Sequence, residues 1–308
     1  MKNLLSSIRF VFTFGFLLIC GFAAQAQTRT FVSGLGSDAN LCTRSAPCRS
    51  FQRAHDLVDS GGEVIAIDSA GYGPVAITKS VTIIGDGVYA GINTNALNAI
   101  LIATPGITVN LRSLIIAGLG TADRGIYATD FTVLHIENCI ISGFVMEGIL
   151  VAPSGGGPRR VNIEDSIVRN NQSIGIVLDG IASTLKATVE RTRMEKNNSG
   201  LDSRGTGATV IIRGCLASGN TGSGFAAELG GVLNIEKGVS SNNGTGISAS
   251  VGATVTVSDS MVTNNTGVGF SSSTIPPSTF LSRGNNTVAG NNGGGAQTSG
   301  TISPLAAL

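Results

Sequence analysis

An all-β solenoid, wound from short strands stacked in parallel, is the fold class this sequence predicts. Three observations predict it. A glycine followed by an apolar residue returns seven times: Gly125-Ile126, Gly148-Ile149, Gly175-Ile176, Gly200-Leu201, Gly224-Phe225, Gly246-Ile247 and Gly269-Phe270, at spacings of 23, 27, 25, 24, 22 and 23 residues. A fixed period of about 20 to 50 residues marks a solenoid, in which each repeat buries its apolar face only against its neighbours. The strands are short and the turns between them leave no room for helices, so βαβ units are excluded and coiling remains. Composition agrees: 43 of 308 residues are Gly, Trp is absent and 13% are charged, as tight turns and β-branched strands require.

Residues 1–26 read as a secretory signal peptide outside the fold. Lys2 and Arg9 precede the apolar run Phe10 to Phe22, and Ala24-Gln25-Ala26 is an A-x-A cleavage site. Ile19 before Cys20 is too large for a lipoprotein site. No later stretch is long and apolar enough to span a bilayer. Export follows, to the periplasm or beyond. The mature chain carries 18 Lys and Arg against 19 Asp and Glu, which offers no footprint for nucleic acid.

Residues 27–62 read as an N-terminal cap. Thr30 to Ser33 is a short strand, and the polar loop Gly34 to Arg49 holds Cys42 and Cys48, which an exported chain would join in a small disulfide. Ser50 caps a short helix with Phe51, Ala54 and Val58 on its apolar face, Leu57 at the margin and Gly61-Gly62 as its stop. His55 is expected half-buried on the same side. Such a cap shields the open core and strand edges at a solenoid end.

Strands follow at Val64 to Ile67, Val75 to Ile77 and Val81 to Ile84, with turns at Gly71-Tyr72-Gly73-Pro74 and Gly85-Asp86-Gly87. From Phe31 through the Cys42 loop, Pro47-Cys48-Arg49-Ser50-Phe51-Gln52, Gly62-Glu63-Val64, Gly71-Tyr72-Gly73 and Val81 to Gly87, the chain resembles the leading segment of pectin-lyase-like right-handed parallel β-helix proteins. The resemblance implies a right-handed parallel β-helix over residues 63–292, with the short capping helix before it and a flexible tail over 293–308. That superfamily includes lyases, hydrolases, epimerases and non-catalytic surface proteins, so function has to be argued from the site.

The repeats align rung by rung. Apolar-x-apolar strand ends at Leu134-His135-Ile136, Val161-Asn162-Ile163, Ala187-Thr188-Val189, Leu233-Asn234-Ile235 and Val255-Thr256-Val257 are each followed, three residues on, by a small residue. With Val210-Ile211-Ile212 in the remaining rung, that column is Cys139, Ser166, Thr192, Cys215, Gly238 and Ser260. Cys139 and Cys215 fall three rungs apart, roughly 14 Å, too far for a disulfide and therefore free and buried. Asn171, Asn220, Asn242 and Asn265 each stand four residues before a repeat glycine, with Asn197-Asn198 nearby, as members of a stacked amide ladder.

Outward positions after the glycines carry the candidate chemistry. Asp179, Asp202, Arg204 and Glu228 fall on three consecutive rungs of one face, and the longest turn, Pro153 to Arg160, lies one rung before Asp179. Neighbouring carboxylates can share a proton, so Asp179, Asp202 and Glu228 are the candidate catalytic residues. Arg204, Arg159, Arg160 and Tyr127 are the candidate substrate contacts. The paired Asp-Asp, Gly-His-Gly and Arg-x-Lys motifs that would resemble polygalacturonases are missing. The column Glu137, Glu164, Glu190, Arg213 and Glu236 reads as a solvated face relieved by Arg191 and Lys237, and His135 as a surface strand residue. No metal set and no cofactor motif is present in the sequence. The expectation is a binder of extended polysaccharide along one face, leaning away from catalysis. A polysaccharide lyase or glycoside hydrolase using the acidic cluster, and a non-catalytic adhesion protein, are the alternatives.

Overall fold

In the computed structural model, which describes residues 27–95 and 97–306, each turn of chain visits three parallel sheets in a fixed order. The expected signal peptide, 1–26, lies outside the described residues. One rung shows the pattern: Ile176–Asp179, then Thr184–Glu190, then Arg193–Glu195, before Leu201–Arg204 begins the next. Sheet 1 has twelve strands and runs from Arg29–Val32 to Ser303–Pro304. Sheet 2 has ten, from Ala70–Gly71 to Thr287–Ala289, and sheet 3 has ten, from Val75–Ile77 to Thr298–Ser299. The result is a right-handed parallel β-helix of about nine turns with one short α-helix.

The repeat glycines stack in sheet 3, one rung apart. The Ile126 amide donates to the Gly148 carbonyl (3.0 Å), Ile149 to Gly175 (2.9 Å), Ile176 to Gly200 (3.0 Å) and Ile247 to Gly269 (2.8 Å). A Cβ on Gly125 would sit 2.4 Å from the Gly148 oxygen and 2.6 Å from Ile141 Cγ2. The requirement is steric: the next rung's carbonyl and an interior side chain stand where a Cβ would sit.

Two corners per rung use a single left-handed residue. Between sheets 1 and 2 it is Asn138, Asp165, Arg191, Gly214, Lys237 or Asp259, with φ between 45° and 58°. The residue that follows is the small interior column, and its role is more than size. Ser166 Oγ accepts from the Cys139 amide (3.1 Å) and donates to the Glu164 carbonyl (2.8 Å). Thr192 and Ser260 act in the same way. Cys139 and Cys215 are both free and buried, and burial raises their thiols to about 12 and about 11, so they remain protonated.

The second corner, after sheet 2, holds the amide ladder. Its members are Asn171, Asn197, Asn220, Asn243, Asn265 and Asn291, all buried. Asn171 Nδ2 donates to Asn197 Oδ1 (2.9 Å), Asn220 to Asn243 (2.9 Å), Asn243 to Asn265 (3.1 Å) and Asn265 to Asn291 (2.9 Å). Each Oδ1 also accepts a backbone amide from the rung before, as Asn220 Oδ1 does from Asn197 (2.9 Å). Asn242 is not a member: it is the exposed left-handed corner residue, with φ 57°. The loop from ladder to glycine alternates between four and three residues, so counting back a fixed distance selects the wrong asparagine.

At the N-terminus the helix Phe51–Leu57 forms with Ser50 as its N-cap, accepting from the Arg53 amide (3.2 Å). It ends at Val58, whose extended backbone stops it before Gly61-Gly62 is reached. Cys42 and Cys48 are joined. His55 is fully buried rather than half-buried, its Nε2 accepting from the Thr78 amide (3.3 Å), and burial lowers its pKa. Of the expected flexible tail, 293–308, the described residues 293–306 include two paired strands. Thr298–Ser299 extends sheet 3, Ser303–Pro304 extends sheet 1, and Gln297 Oε1 terminates the amide ladder at Asn291 (2.9 Å). Unpaired ladder groups need a terminal acceptor, and Gln297 supplies it.

Asn220→Ala should lower stability by about 2 kcal/mol or more, because it strands the buried Asn197 amide and the Met194 carbonyl. Asn198→Ala, one residue from the ladder and exposed, should stay within about 0.5 kcal/mol. Urea unfolding of both variants measures the difference.

Candidate functional site

Register in sheet 3 brings the expected cluster together. Asp179 pairs with Arg204 and Arg204 with Glu228 as strand neighbours, while Asp202 lies between Val177 and Ala226. Arg204 Nε donates to Asp202 Oδ2 at 2.7 Å and stands 4.0 Å from Glu228 Oε2. Asp179 Oδ1 accepts from the Ile181 amide (2.8 Å), which turns that carboxylate toward its own loop. Burial opposes the Arg204 charge, yet the Asp202, Glu228 and Asp179 carboxylates raise its pKa.

Asp202 is the unusual member. It occupies an outward position, but its side chain is 1% exposed because Val177 and Ala226 flank it and both are buried. Its Oδ1 has no donor. Burial first, then the Glu228 charge, push its pKa up to about 7 against the opposing pull of Arg204. Protonation spares that buried oxygen a negative charge it has no donor to meet.

The other expected contacts separate. Arg159 does not reach this face. It points into the corner of its own turn, where Nη2 holds Asp130 Oδ1 (2.6 Å) and its side chain is 9% exposed. The strand already begins at Pro158, so the wall loop is shorter than the sequence suggested and Arg160 belongs to the outward face of sheet 1. Tyr127 stays in sheet 3, three rungs before Asp202 along the row Tyr127, Leu150, Val177. The Arg124 guanidinium lies 5.0 Å from its ring centre and Arg124 Nε holds Glu147 (2.8 Å). Arg124 and Glu147 flank Gly125 and Gly148, a position the outward count after each glycine did not include.

Sheet 1 carries a second surface. Thr82, Asn110, His135, Asn162 and Thr188 form one outward row, each paired to the next. Asn110 Nδ2 donates to Thr82 Oγ1 (3.1 Å), and Asn162 Nδ2 lies 3.2 Å from His135 Nδ1. Arg160 and Lys186 pair in the row on one side, and Arg112, Glu137, Glu164 and Glu190 form the row on the other. Two adjoining shallow depressions share His135 and Asn162 in their floors. The acidic row is neutralised from within the chain: Arg191 reaches Glu164 (3.2 Å), Asp165 (2.8 Å) and Glu190 (3.2 Å), and Arg213 reaches Glu190 and Glu236. Among the described residues no cluster of His, Cys, Asp and Glu is arranged to hold a metal ion, and no helix is long and apolar enough to cross a membrane.

A family model described as the right-handed beta helix region matches residues 147–304. The chain belongs to that family. Among solved structures, the right-handed β-helix is similar to pectate lyase Pel9A, with a TM-score of 0.55 and 14% identity over 79% of this chain and 81% of that one. A rhamnogalacturonan lyase matches with a TM-score of 0.49 and 12% identity over 85% and 72%. A GH136 lacto-N-biosidase from Eubacterium ramulus matches with a TM-score of 0.39 and 11% identity over 90% and 67%. No curated protein matches by sequence. At such identities the likeness is one of fold.

The Asp202 proton gives a pH-dependent stability with a definite sign. Its pKa is raised from 3.8 to about 7 on folding, so its stabilisation is complete below the unfolded value and is lost as pH rises through about 7. Asp202→Asn should flatten that fall, raising the urea midpoint at pH 8 relative to the native protein while changing it little at pH 4.

Proposed function

We propose that this protein is exported and binds an extended polysaccharide along the outward face of sheet 1. One observation carries the reading: Thr82, Asn110, His135, Asn162 and Thr188 offer a hydrogen-bonding side chain on five successive rungs, beside Arg160 and Lys186. A sugar chain presents hydroxyls at regular intervals, and a row of amides, hydroxyls and charged groups at about 4.8 Å spacing can meet them continuously. The Arg204 cluster of sheet 3, by contrast, spends its charges on itself. A pectate lyase with the same fold supports carbohydrate as the partner class. The Cys42–Cys48 disulfide and the leader-like residues 1–26 support export.

Asn162→Ala and Lys186→Ala should each weaken binding several-fold, about 1 kcal/mol for one lost hydrogen bond, with Arg204→Ala unchanged. A polysaccharide array followed by calorimetry on the best ligand measures this. Equal binding by all three variants would refute the sheet 1 assignment.

A second reading, cleavage at Asp179, Asp202 and Glu228, is favoured by the Asp202 carboxyl, whose pKa burial raises to about 7 beside Glu228. In it Glu228, the more exposed of the pair, is the carboxylate that faces the sugar as base or nucleophile, Asp202 is the member that holds the proton beside it, and Arg204 and Tyr127 are substrate contacts. Glu228→Gln should then abolish release of shorter sugars while leaving binding intact, as followed by reducing-end assay and, for a lyase, by absorbance of the unsaturated product. No product release from the native protein on any bound glycan would eliminate it.

A further inference from the structure

One outward column of sheet 2 is apolar over seven rungs but for a single arginine. It runs Ile115, Ile140, Ile167, Arg193, Leu216, Val239 and Met261, each paired to the next in register. The five aliphatic residues from Ile115 to Val239 are half-buried and Met261 is 49% exposed. The opposite face of the same strands is already apolar and fills the core, so this outward column is not needed for it. The main contacts of these strands run to their sheet neighbours and across the interior to sheet 3. Contiguous apolar surface of this kind marks an interaction site.

We propose that this face joins two copies of the chain in an antiparallel two-fold dimer, with the axis at Arg193. The pattern is symmetric about that residue: three aliphatic side chains precede it and three follow. Reversing the second copy sets Ile167 against Leu216, Ile140 against Val239 and Ile115 against Met261, as an isologous contact requires. A parallel arrangement would instead set each residue of the column against itself, Ile115 on Ile115, while the neighbouring outward column, with Ser142, Arg169 and Glu195, stays at the margin of the contact in either case. Arg193 brings no unpaired charge to the centre, because Nε and Nη2 both bind Glu195 Oε1 (2.9 and 2.5 Å). Six rung steps make the face about 29 Å long, and with its flanking turns about 15–20 Å wide. Two copies would therefore cover on the order of 1,000 Å², the lower bound for a specific interface. The dimer is accordingly reversible, and it leaves the sheet 1 face free for a ligand.

Sedimentation equilibrium of the full mature chain tests the proposal directly. A concentration-dependent dimer is expected, weakened at least about tenfold by Leu216→Glu or by Val239→Lys, with circular dichroism reporting that each variant stays folded. Arg193→Cys under mild oxidation should give a disulfide-linked dimer, while Ile115→Cys should cross-link only when mixed with Met261→Cys. A native chain that is monomeric at its solubility limit overturns the proposal. So does a dimer insensitive to both charged variants, or one that Ile115→Cys alone cross-links and Arg193→Cys does not.

Discussion

A coil of parallel strands survives only if its backbone amides find acceptors at the corners as well as along the sheets. Strand pairing satisfies the straight segments, but each corner turns amides inward, where water cannot reach them. Two side-chain columns close that gap. At one corner Ser166, Thr192 and Ser260 accept from the rung before and donate to a carbonyl of their own rung. At the other, the asparagines from Asn197 to Asn291 accept a backbone amide of the rung before through Oδ1 and donate from Nδ2 to a carbonyl of that same preceding rung. Each column depends on the next rung being present, which couples local hydrogen bonding to the length of the solenoid.

This constraint consumes the interior and leaves the outward positions free. Inward residues are mostly apolar fillers, stacked glycines and corner hydrogen-bonding groups, whereas the same strands present three chemically different outward faces. Sheet 1 shows amides, hydroxyls and balanced charge; sheet 2 carries one apolar column beside a polar one; sheet 3 concentrates ion pairs around Arg204 and Arg124. Segregation of that kind is economical for a chain with few charged residues, because each face can be dedicated to one partner without disturbing the core.

Asp202 shows how burial can arise on an outward face. Its neighbours Val177 and Ala226 are too apolar to hold water around the carboxylate. Desolvation then outweighs the adjacent guanidinium and favours the protonated form. Glu228 has the same outward direction but ends its strand beside an exposed turn, and it is left 36% accessible. Position along the strand, more than residue type, separates the two carboxyl groups.

The architecture was legible from residues alone because a solenoid repeats its steric problem at each turn. A glycine wherever the chain bends against its neighbour, and a small residue at each inner corner, recur at a readable period. The free state of Cys139 and Cys215 followed from the same period. Registers that hang on variable loops did not: Asn242 and Asn243 differ by one position, and only the left-handed backbone of the first decides which amide is buried. The outward row Asp179, Arg204 and Glu228 could be aligned by counting, but counting could not place Arg159, which turns inward to Asp130, or Arg160, which faces another sheet. Nor could it reveal that Asp202 is sealed, or that the outward rows of sheets 1 and 2 are continuous surfaces. Periodicity along the chain specifies which residues stack in one column, whereas the environment of a side chain depends on the columns beside it, and folding alone brings those together.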